Sequence, residues 1–174
     1  MTAPNPEWQY VTTRREARVL QGFTCTWDFP RTPGGRKLPH DRPWEWEAQR
    51  HLRQTSQLLH QGDLVLVGVL SSDAIAAAHL QFDASSEVLE VFIAAAGVSL
   101  PARRQGGGLA DRMLATIQAE GLARATDGSC AHLVLTGKIH TSNTASQQMV
   151  QRAGWEPYDA PSIDYQSWGL IVPI

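Results

Sequence analysis

Apolar residues change their spacing several times along the chain, which predicts an alternation of strands and helices. A short apolar run at residues 8–11 predicts a first strand, and residues 13–16 form the capping-box pattern that opens a helix. Residues 27–43 carry four prolines and predict a long irregular loop. From Pro43 an apolar face recurs at helical spacing, and we expect this second helix to end at Gly62.

Three strand-like runs follow at residues 64–70, 74–82 and 87–100, joined by short polar turns. This pattern predicts an antiparallel meander. The third run contains Gly97, where the missing side chain permits a bulge or the close approach of another backbone, so we expect a bend there. Apolar residues then recur at helical spacing over residues 109–122, which predicts a helix.

The last third of the chain predicts a strand at residues 132–135, a helix at 145–153 and a final strand at 168–172. The final strand ends near Ile174 and can pair between two subunits, so a homodimer is an open alternative. We expect residues 1–174 to form one domain, because a second domain would leave neither half with a sufficient core.

The formal net charge of -2 comes from scattered residues, and no basic stripe is available for a nucleic-acid backbone. The most apolar stretch, residues 64–70, is far shorter than the roughly 20 residues of a membrane-spanning helix. Residues 1–10 lack a charged-then-apolar leader. We therefore expect a cytoplasmic protein without nucleic-acid or membrane partners.

The cysteines and histidines have no spacing typical of a metal or redox site. Cys25 and Cys130 stand alone, and no H-x-x-x-H run occurs among the six histidines. We predict two structural thiols and no bound metal.

A glycine-rich turn connects the meander to the helix that follows it, with the sequence Arg103-Arg104-Gln105-Gly106-Gly107-Gly108-Leu109-Ala110. A turn between a strand and a helix start directs free N–H groups and the positive helix end towards an anion. The glycines let a ligand approach the backbone, and the arginines can pair with phosphate oxygens. A purely conformational glycine turn is the alternative.

Two other phosphate-binding motifs do not fit this turn. A P-loop ends in Gly-Lys-Ser/Thr, where this chain has Gly-Leu-Ala. The dinucleotide fingerprint opens a strand-helix-strand unit, whereas this turn follows a meander. An α/β nucleotide-binding protein is therefore the weaker interpretation.

The turn resembles the acetyl-CoA signature of the GNAT superfamily of N-acetyltransferases, R/Q-x-x-G-x-G/A, with Gln105 in the first position and Ala110 in the last. Leu100 and the pair Met113-Leu114 match the apolar residues that flank the family motif, whereas a register beginning at Arg103 loses that pair. A later run resembles the family's N-x-x-A-x-x-L-Y-x-K-x-G-F helix, through Asn143, Met149, Arg152, Gly154 and Trp155. The resemblance covers residues 64–155.

The resemblance implies a single-domain, GNAT-like fold of the α/β (α+β) class. Its mixed, mostly antiparallel central sheet would have about six to seven strands, flanked by about four helices. It also implies that the chain is an acyltransferase that uses acetyl-CoA as its cofactor. The residues that would bind this cofactor are Val98, Ser99, Leu100, Arg103, Arg104, Gln105, Gly106, Gly107, Gly108, Leu109, Ala110, Asn143 and Ser146.

In the implied reaction an acceptor amine attacks the thioester directly, and backbone N–H groups near Gly97 and Leu100 would hold the pantetheine arm and polarise the carbonyl. The family's tyrosine, which can protonate the leaving thiolate, is replaced by Val150. Ser142, Ser146 or Tyr165 can supply the proton instead, or the thiolate leaves without help.

A base must accept the amine proton, and the candidates on the central strands are Glu90, Glu87 and His79. Each also has a purely structural interpretation, as a solvent-facing glutamate or a core histidine. Trp27, Phe29 and Trp44 flank the long loop where the family builds its acceptor pocket. If these aromatic residues line the pocket rather than the core, the acceptor is a bulky or partly apolar small-molecule amine.

A different class of function is a CoA-binding sensor or structural module that performs no chemistry. The valine at position 150 motivates this alternative. Thiol release from acetyl-CoA in the presence of amines discriminates between the two.

Overall fold

The computed structural model describes residues 5–103 and 108–174. The described strands are β1 (Glu7–Val11), β2 (Leu64–Leu70), β3 (Asp73–Ala84), β4 (Val88–Val98), β5 (His132–His140), β6 (Glu156–Pro157) and β7 (Tyr165–Pro173). The described helices are a 3-10 helix at Glu16–Leu20, α1 (Pro43–Arg53), α2 (Thr55–Leu58), α3 (Leu100–Arg103), α4 (Leu109–Asp127) and α5 (Thr144–Arg152).

The strands form one sheet in the order β1-β2-β3-β4-β5-β7-β6. All neighbouring strands are antiparallel except β4 and β5, which are parallel. The predicted α/β class and the mostly antiparallel sheet of six to seven strands are confirmed. The described α-helices number five rather than about four, because α2 and α3 are single turns that carry no periodic signal.

Helices cover both faces of the sheet, and β2 shows this most directly. Leu64 and Leu66 belong to a core cluster with α4, whereas Val65 and Val67 belong to a second cluster with α1 and the 3-10 helix. Successive side chains of a strand point to opposite faces, so both faces of β2 are buried. This explains why its sequence is a continuous apolar run rather than an alternating one.

The first half of the chain departs from the predicted helices. The capping-box pair is present, since the Glu16 N–H donates to the Thr13 hydroxyl at 3.3 Å, but the helix that follows is 3-10. The predicted helix from Pro43 to Gly62 ends at Arg53, because Gln54 leaves the helical conformation (ψ 4°) and the chain restarts as α2.

The bend predicted at Gly97 lies instead at Ala94. His79 pairs with Ala95 and the next residue, Leu80, pairs with Ile93, so Ala94 is the extra residue of a bulge. Gly97 stays in register with β3, and its missing side chain makes room for the side chain of Cys25. A Cβ at Gly97 would lie 3.1 Å from the Cys25 sulfur, which is tighter than normal packing allows.

The parallel pairing of β4 with β5 stops at Ile93 and Gly137, although both strands continue. Beyond this point β4 stays with β3, and β5 stays with β7 as far as the pair His140–Tyr165. The sheet is therefore split between its two central strands. The predicted strand 87–100 also ends early, at Val98, and Leu100 begins α3.

The edges of the sheet are β1 and the two-residue strand β6, which the sequence pattern did not predict. β6 pairs only with Trp168 and Gly169, so the rest of that side of β7 has no partner strand in the described part of the chain. The homodimer through the last strand stays a prediction, as does the assignment of residues 1–174 to one domain. None of the helices described is both long and apolar enough to cross a bilayer.

Leu52 holds α1 against the sheet and is fully buried in the cluster with Leu20 and Val65. We expect Leu52→Ala to lower the free energy of unfolding by about 2–5 kcal/mol, because it removes buried apolar atoms and leaves a cavity. Urea denaturation measures the change. The matched control is Leu38→Ala, at a leucine that is 40% exposed, which we expect to change stability by less than about 0.5 kcal/mol. Equal losses in both variants would contradict the assigned core.

Candidate active site

A cleft with a volume of about 1070 Å³ occupies the split between β4 and β5. Residues 92–98 of β4 and 137–140 of β5 line its walls. The side chains of the β4 wall are small or apolar, with three successive alanines at 94–96. Such a cleft can hold an extended, uncharged chain and offers it backbone groups that have no partner strand on that side.

The cleft is lined from both faces of the sheet. On the face covered by α4 and α5, its lining includes Gly108, Leu109 and Ala110 at the start of α4, and Asn143 and Ser146 at the start of α5. Both helices direct their N-terminal ends, the positive ends of their dipoles, to this side of the cleft. An anionic group is favoured there.

Gly108 is the first described residue of the predicted turn and caps α4 in the left-handed conformation (φ 65°, ψ 29°). A residue with a Cβ adopts this conformation only with strain, which explains a glycine at this position. The predicted cofactor contacts Arg104, Gln105, Gly106 and Gly107 lie outside the described residues.

The N-terminus of α5 is capped from within the chain. The side chain of Asn143 accepts a hydrogen bond from the Ser146 N–H at 3.2 Å and donates one to the Ser146 hydroxyl at 2.8 Å. Both residues line the cleft, and their binding of the cofactor stays a prediction. Val150 also lines it and is 4% exposed, so the position where the family has tyrosine does face the cleft.

Three residues predicted to bind the cofactor have other partners. Ser99 and Leu100 do not line the cleft, and their N–H groups donate to the carbonyls of Ile75 (2.8 Å) and Thr24 (3.0 Å). These two amides are therefore not free to hold a ligand. Val98 lines the cleft, but its carbonyl accepts a hydrogen bond from Arg103 at 3.1 Å.

The Arg103 guanidinium, predicted to pair with phosphate, forms an ion pair with Glu45 of α1 at 2.8 Å. Burial opposes ionisation of the Glu45 carboxyl, but the hydrogen bonds and charge of Arg103, with further hydrogen bonds from Thr26 and Arg42, lower its pKa. Arg103 therefore ties α3 to α1 across one end of the cleft, and its charge is already compensated.

The face covered by α1 contributes a polar and aromatic lining. Trp44, Glu47 and His51 of α1 face the cleft at positions i, i+3 and i+7, which share one side of a helix. The Trp44 ring stacks on His140 of β5 with a centroid distance of 4.6 Å. The Tyr165 hydroxyl donates a hydrogen bond to Glu47, and burial together with this carboxylate raises the pKa of Tyr165. The phenol is therefore protonated at neutral pH.

His79, one of the predicted bases, is 1% exposed and does not line the cleft. Its Nδ1 lies 2.8 Å from Nε2 of His51, and its Nε2 lies 3.0 Å from a carboxylate oxygen of Asp63. Burial and the neighbouring His79 lower the pKa of His51. Burial opposes ionisation of Asp63, but hydrogen bonds from the His60 backbone and from His79 lower its pKa.

Three further residues predicted to act in catalysis, Glu90, Glu87 and Ser142, lie outside the cleft. Glu90 is at the closed end of β4, where its carboxylate accepts a hydrogen bond from Thr136 at 2.9 Å. Ser142 is exposed, and Glu87 is exposed in the turn before β4. None of these three residues is part of the cleft lining.

Of the three aromatic residues predicted to line an acceptor pocket, only Trp44 lines the cleft. Trp27 is 61% exposed on the long loop. Phe29 packs edge-on against Trp46 with a centroid distance of 4.8 Å. Phe29 of the irregular loop therefore packs against α1 and does not line the cleft.

Sequence reasoning missed Glu47, His51 and Asp63. Glu47 and His51 carry a usable signal, because they share the i, i+3, i+7 spacing of Trp44 on a predicted helix. Asp63 has no such signal, since it precedes β2 in a turn.

A covalent nucleophile is not evident in the cleft. Cys25 lies at its edge, but burial raises the pKa of this thiol to about 11, so it is protonated at neutral pH. The described residues contain no group of three or more histidine, cysteine or acidic side chains arranged to hold a metal ion.

Neither a protein-family model nor a curated protein matches the sequence. Solved structures do match the fold. The ribosomal-protein-S18-alanine N-acetyltransferase of Escherichia coli has a TM-score of 0.63 at 14% identity, over 97% of this chain and 96% of that one. The ribosomal-protein-alanine N-acetyltransferase of Brucella melitensis has a TM-score of 0.55 at 18% identity, over 95% and 99%.

A third match is the NatC complex bound to Gag peptide and CoA, with a TM-score of 0.50 at 14% identity, over 97% of this chain and 99% of that one. At these identities the similarity is one of fold. Structures described as GNAT-family acetyltransferases or GNAT domains are also among the matches, with TM-scores of 0.59 and 0.56. The chain therefore has the fold of the GNAT acetyltransferases.

Proposed function

We propose that the chain is an N-acetyltransferase that transfers an acetyl group from acetyl-CoA to a primary amine within a ternary complex. The observation that carries this proposal is the cleft between β4 and β5, which has lining residues on both faces of the sheet. Two substrates can enter such a cleft from opposite faces and meet in the plane of the sheet. Its volume of about 1070 Å³ slightly exceeds the roughly 300–1,000 Å³ of ordinary ligand sites, as suits a site for two substrates.

Acetyl-CoA fits the half of the cleft next to α4 and α5. The positive ends of the two helices suit its diphosphate, and the wall of residues 92–98 suits the uncharged pantetheine arm. Gly108, the N-cap of α4, has no side chain that would block the approach of a ligand to this helix end. The NatC complex, which matches this fold, is described as bound to CoA. Bound there, acetyl-CoA would supply an activated acyl group.

The protein's part in this reaction is to position two substrates. A protonated Cys25 argues against an acyl-enzyme, and direct attack by the amine needs no protein nucleophile. The bulge at Ala94 turns the β4 backbone at the wall of the cleft, where N–H groups can stabilise charge on the thioester oxygen.

The leaving thiolate has no proton donor at Val150. Tyr165 lines the cleft, but its hydroxyl proton is donated to Glu47 and its pKa is raised by burial and by that carboxylate, so the hydroxyl of Ser146 at the other face remains as the donor. A thiol with an ordinary pKa near 8.5 is also a tolerable leaving group without help.

The acceptor fits the half of the cleft next to α1. Trp44 and the ring of His140 offer an aromatic surface, and Glu47 offers a negative charge beside it. This combination suits a small, partly apolar amine whose cationic group pairs with the carboxylate. A protein N-terminus is the competing acceptor, because the names of the E. coli and B. melitensis proteins describe alanine residues of ribosomal proteins as their substrates.

A second candidate function is a CoA-binding module without turnover. Val150 favours it, since a buried valine occupies the position of the family's proton donor. Both functions require binding of CoA, so binding alone does not separate them.

The experiment is an acceptor screen with acetyl-CoA, in which free thiol is measured over time. The panel contains phenethylamine, spermidine, a peptide with an N-terminal alanine and a peptide with one internal lysine. We expect the aromatic amine to release thiol fastest and to be recovered as its acetamide. Release with the alanine peptide alone would contradict the small-molecule acceptor. Binding of CoA without thiol release for any amine would support the non-catalytic module.

A further inference from the structure

A continuous row of hydrogen bonds leads from the cleft into the core beside α1. It joins His51, which lines the cleft, to the buried His79 and then to Asp63, with donor–acceptor distances of 2.8 and 3.0 Å. The three residues come from α1, β3 and the turn before β2. Structural packing alone does not require three ionisable groups in a row, one end of which opens to the cleft.

The chemistry of an ionised carboxylate fixes the direction of these hydrogen bonds. Asp63 can only accept, so Nε2 of His79 carries a proton and donates it. Neutral His79 then has an unprotonated Nδ1, which accepts from Nε2 of His51. In neutral His51 the remaining nitrogen, Nδ1, therefore carries a free lone pair.

The surroundings of His51 Nδ1 leave this lone pair available. No other described residue forms a hydrogen bond with it, and the atom is not sealed from solvent. A protein nitrogen that faces a substrate cleft with a fixed lone pair is a proton acceptor of defined orientation.

We propose that Nδ1 of His51 is the base that takes the proton from the acceptor amine, that His79 is a positioning residue that fixes its tautomer, and that the Asp63 carboxylate is a positioning residue that favours positive charge on the two imidazoles. This assignment rests on the proposed N-acetyltransferase function. The sequence predicted His79 as a candidate base, but His79 cannot touch a substrate in the cleft. His51 takes that role, and His79 acts through its hydrogen bond to His51.

The proton balance of the step is complete. The acceptor ammonium gives one proton to Nδ1 of His51, and the freed lone pair forms the N–C bond while the C–S bond breaks and its electron pair leaves with sulfur. The second nitrogen proton neutralises the thiolate through solvent. His51 returns its proton to solvent after each turnover, so one proton is released per acetyl group transferred.

Several ionisable groups near His51 contribute to any pH profile. Those in the cleft are Glu47 and Arg50 on α1, Lys138 and His140 on β5 and Tyr165 on β7, while the part of β4 that lines the cleft carries none; His79 on β3 lies behind the cleft in contact with His51. Further along the cleft lie Cys25, Arg42, Glu45, Arg103 and Arg152. His140 is the other imidazole of the cleft, so a pH profile of the wild type alone does not identify the base. Substitution of His51 and its partners is needed.

The first test is His51→Gln, assayed with the best amine of the screen. We expect kcat to fall by roughly 10²- to 10⁴-fold while the KM for acetyl-CoA stays within about twofold, because general-base catalysis is lost and cofactor binding is not. The matched control is His132→Gln, at an exposed histidine outside the cleft, and it should keep wild-type kinetics. An unchanged kcat in His51→Gln would overturn the assignment.

The second test is Asp63→Asn, which keeps an oxygen for both hydrogen bonds and removes only the charge. Without the carboxylate, protonated His51 is less stable, so the acidic limb of the kcat/KM profile should move to lower pH by about one unit and the plateau should fall. A purely structural Asp63 would lower the folded fraction and leave the limb in place, which would overturn its positioning role.

The third test is ¹⁵N NMR of the imidazoles in the free protein, with His51→Gln used for assignment. We expect protons on Nε2 of both His51 and His79, and a proton on Nδ1 of His51 would overturn the proposal. If wild type releases no thiol with any amine, the proposed function fails and the base assignment falls with it. If wild type is active and His51→Gln is equally active, only the base assignment fails.

Discussion

Gly108→Glu is expected to weaken acetyl-CoA binding by about a hundredfold or more, which corresponds to at least about 2.8 kcal/mol. The substitution places a carboxylate at the N-terminus of α4, where we place the diphosphate, and like charges in a partly desolvated site repel strongly. It also adds a side chain to a residue held at φ 65°. Calorimetric titration with acetyl-CoA measures the loss.

The matched control for this prediction is Gly108→Gln, which has the same shape and the same backbone strain without the charge. We expect it to bind roughly ten- to a hundredfold more tightly than the glutamate variant. Equal affinities for the two variants would mean that no phosphate group lies at this helix end.

Ala96→Trp is expected to reduce acetyl-CoA binding by about a hundredfold for a different reason. Ala96 lines the cleft on β4 and packs on the side of α4, so an indole there fills the space assigned to the pantetheine arm. Calorimetric titration with acetyl-CoA measures the change.

The control variant is Ala96→Ser, which keeps the volume of the side chain nearly constant and should bind acetyl-CoA as wild type does. Melting temperatures of the two variants separate a blocked cleft from a damaged fold. Full cofactor affinity in a folded Ala96→Trp protein would show that the arm does not pass between β4 and β5.

The sequence predicts the sheet well where apolar periodicity is strong. The meander at residues 64–98 and the helix α4 follow from such patterns, and the structure confirms them. The bulge at Ala94 could not be predicted, because a run of alanines gives no positional signal. The bend was instead expected at Gly97, because glycine often marks a bulge. Gly97 makes room for the Cys25 side chain, and this contact between residues distant in sequence could not be predicted from the local pattern.

In the candidate site, too, local features can be predicted from the sequence and long-range contacts cannot. The turn at Gly108 and the cap at Asn143 are local motifs, and local motifs can be read from neighbouring residues. The α1 side is assembled from distant elements, so no local pattern predicts that Arg103 pairs with Glu45, 58 residues away, rather than with phosphate. The contact between His51 and His79 spans 28 residues and is equally invisible in the sequence.

We place acetyl-CoA in the split between β4 and β5, with its diphosphate at the start of α4. A crystal structure of the protein grown with CoA locates the cofactor. We expect the pantetheine arm along residues 92–98 and the diphosphate within hydrogen-bonding distance of the N–H groups at the start of α4. A cofactor bound elsewhere on the protein, with this cleft empty, would contradict it.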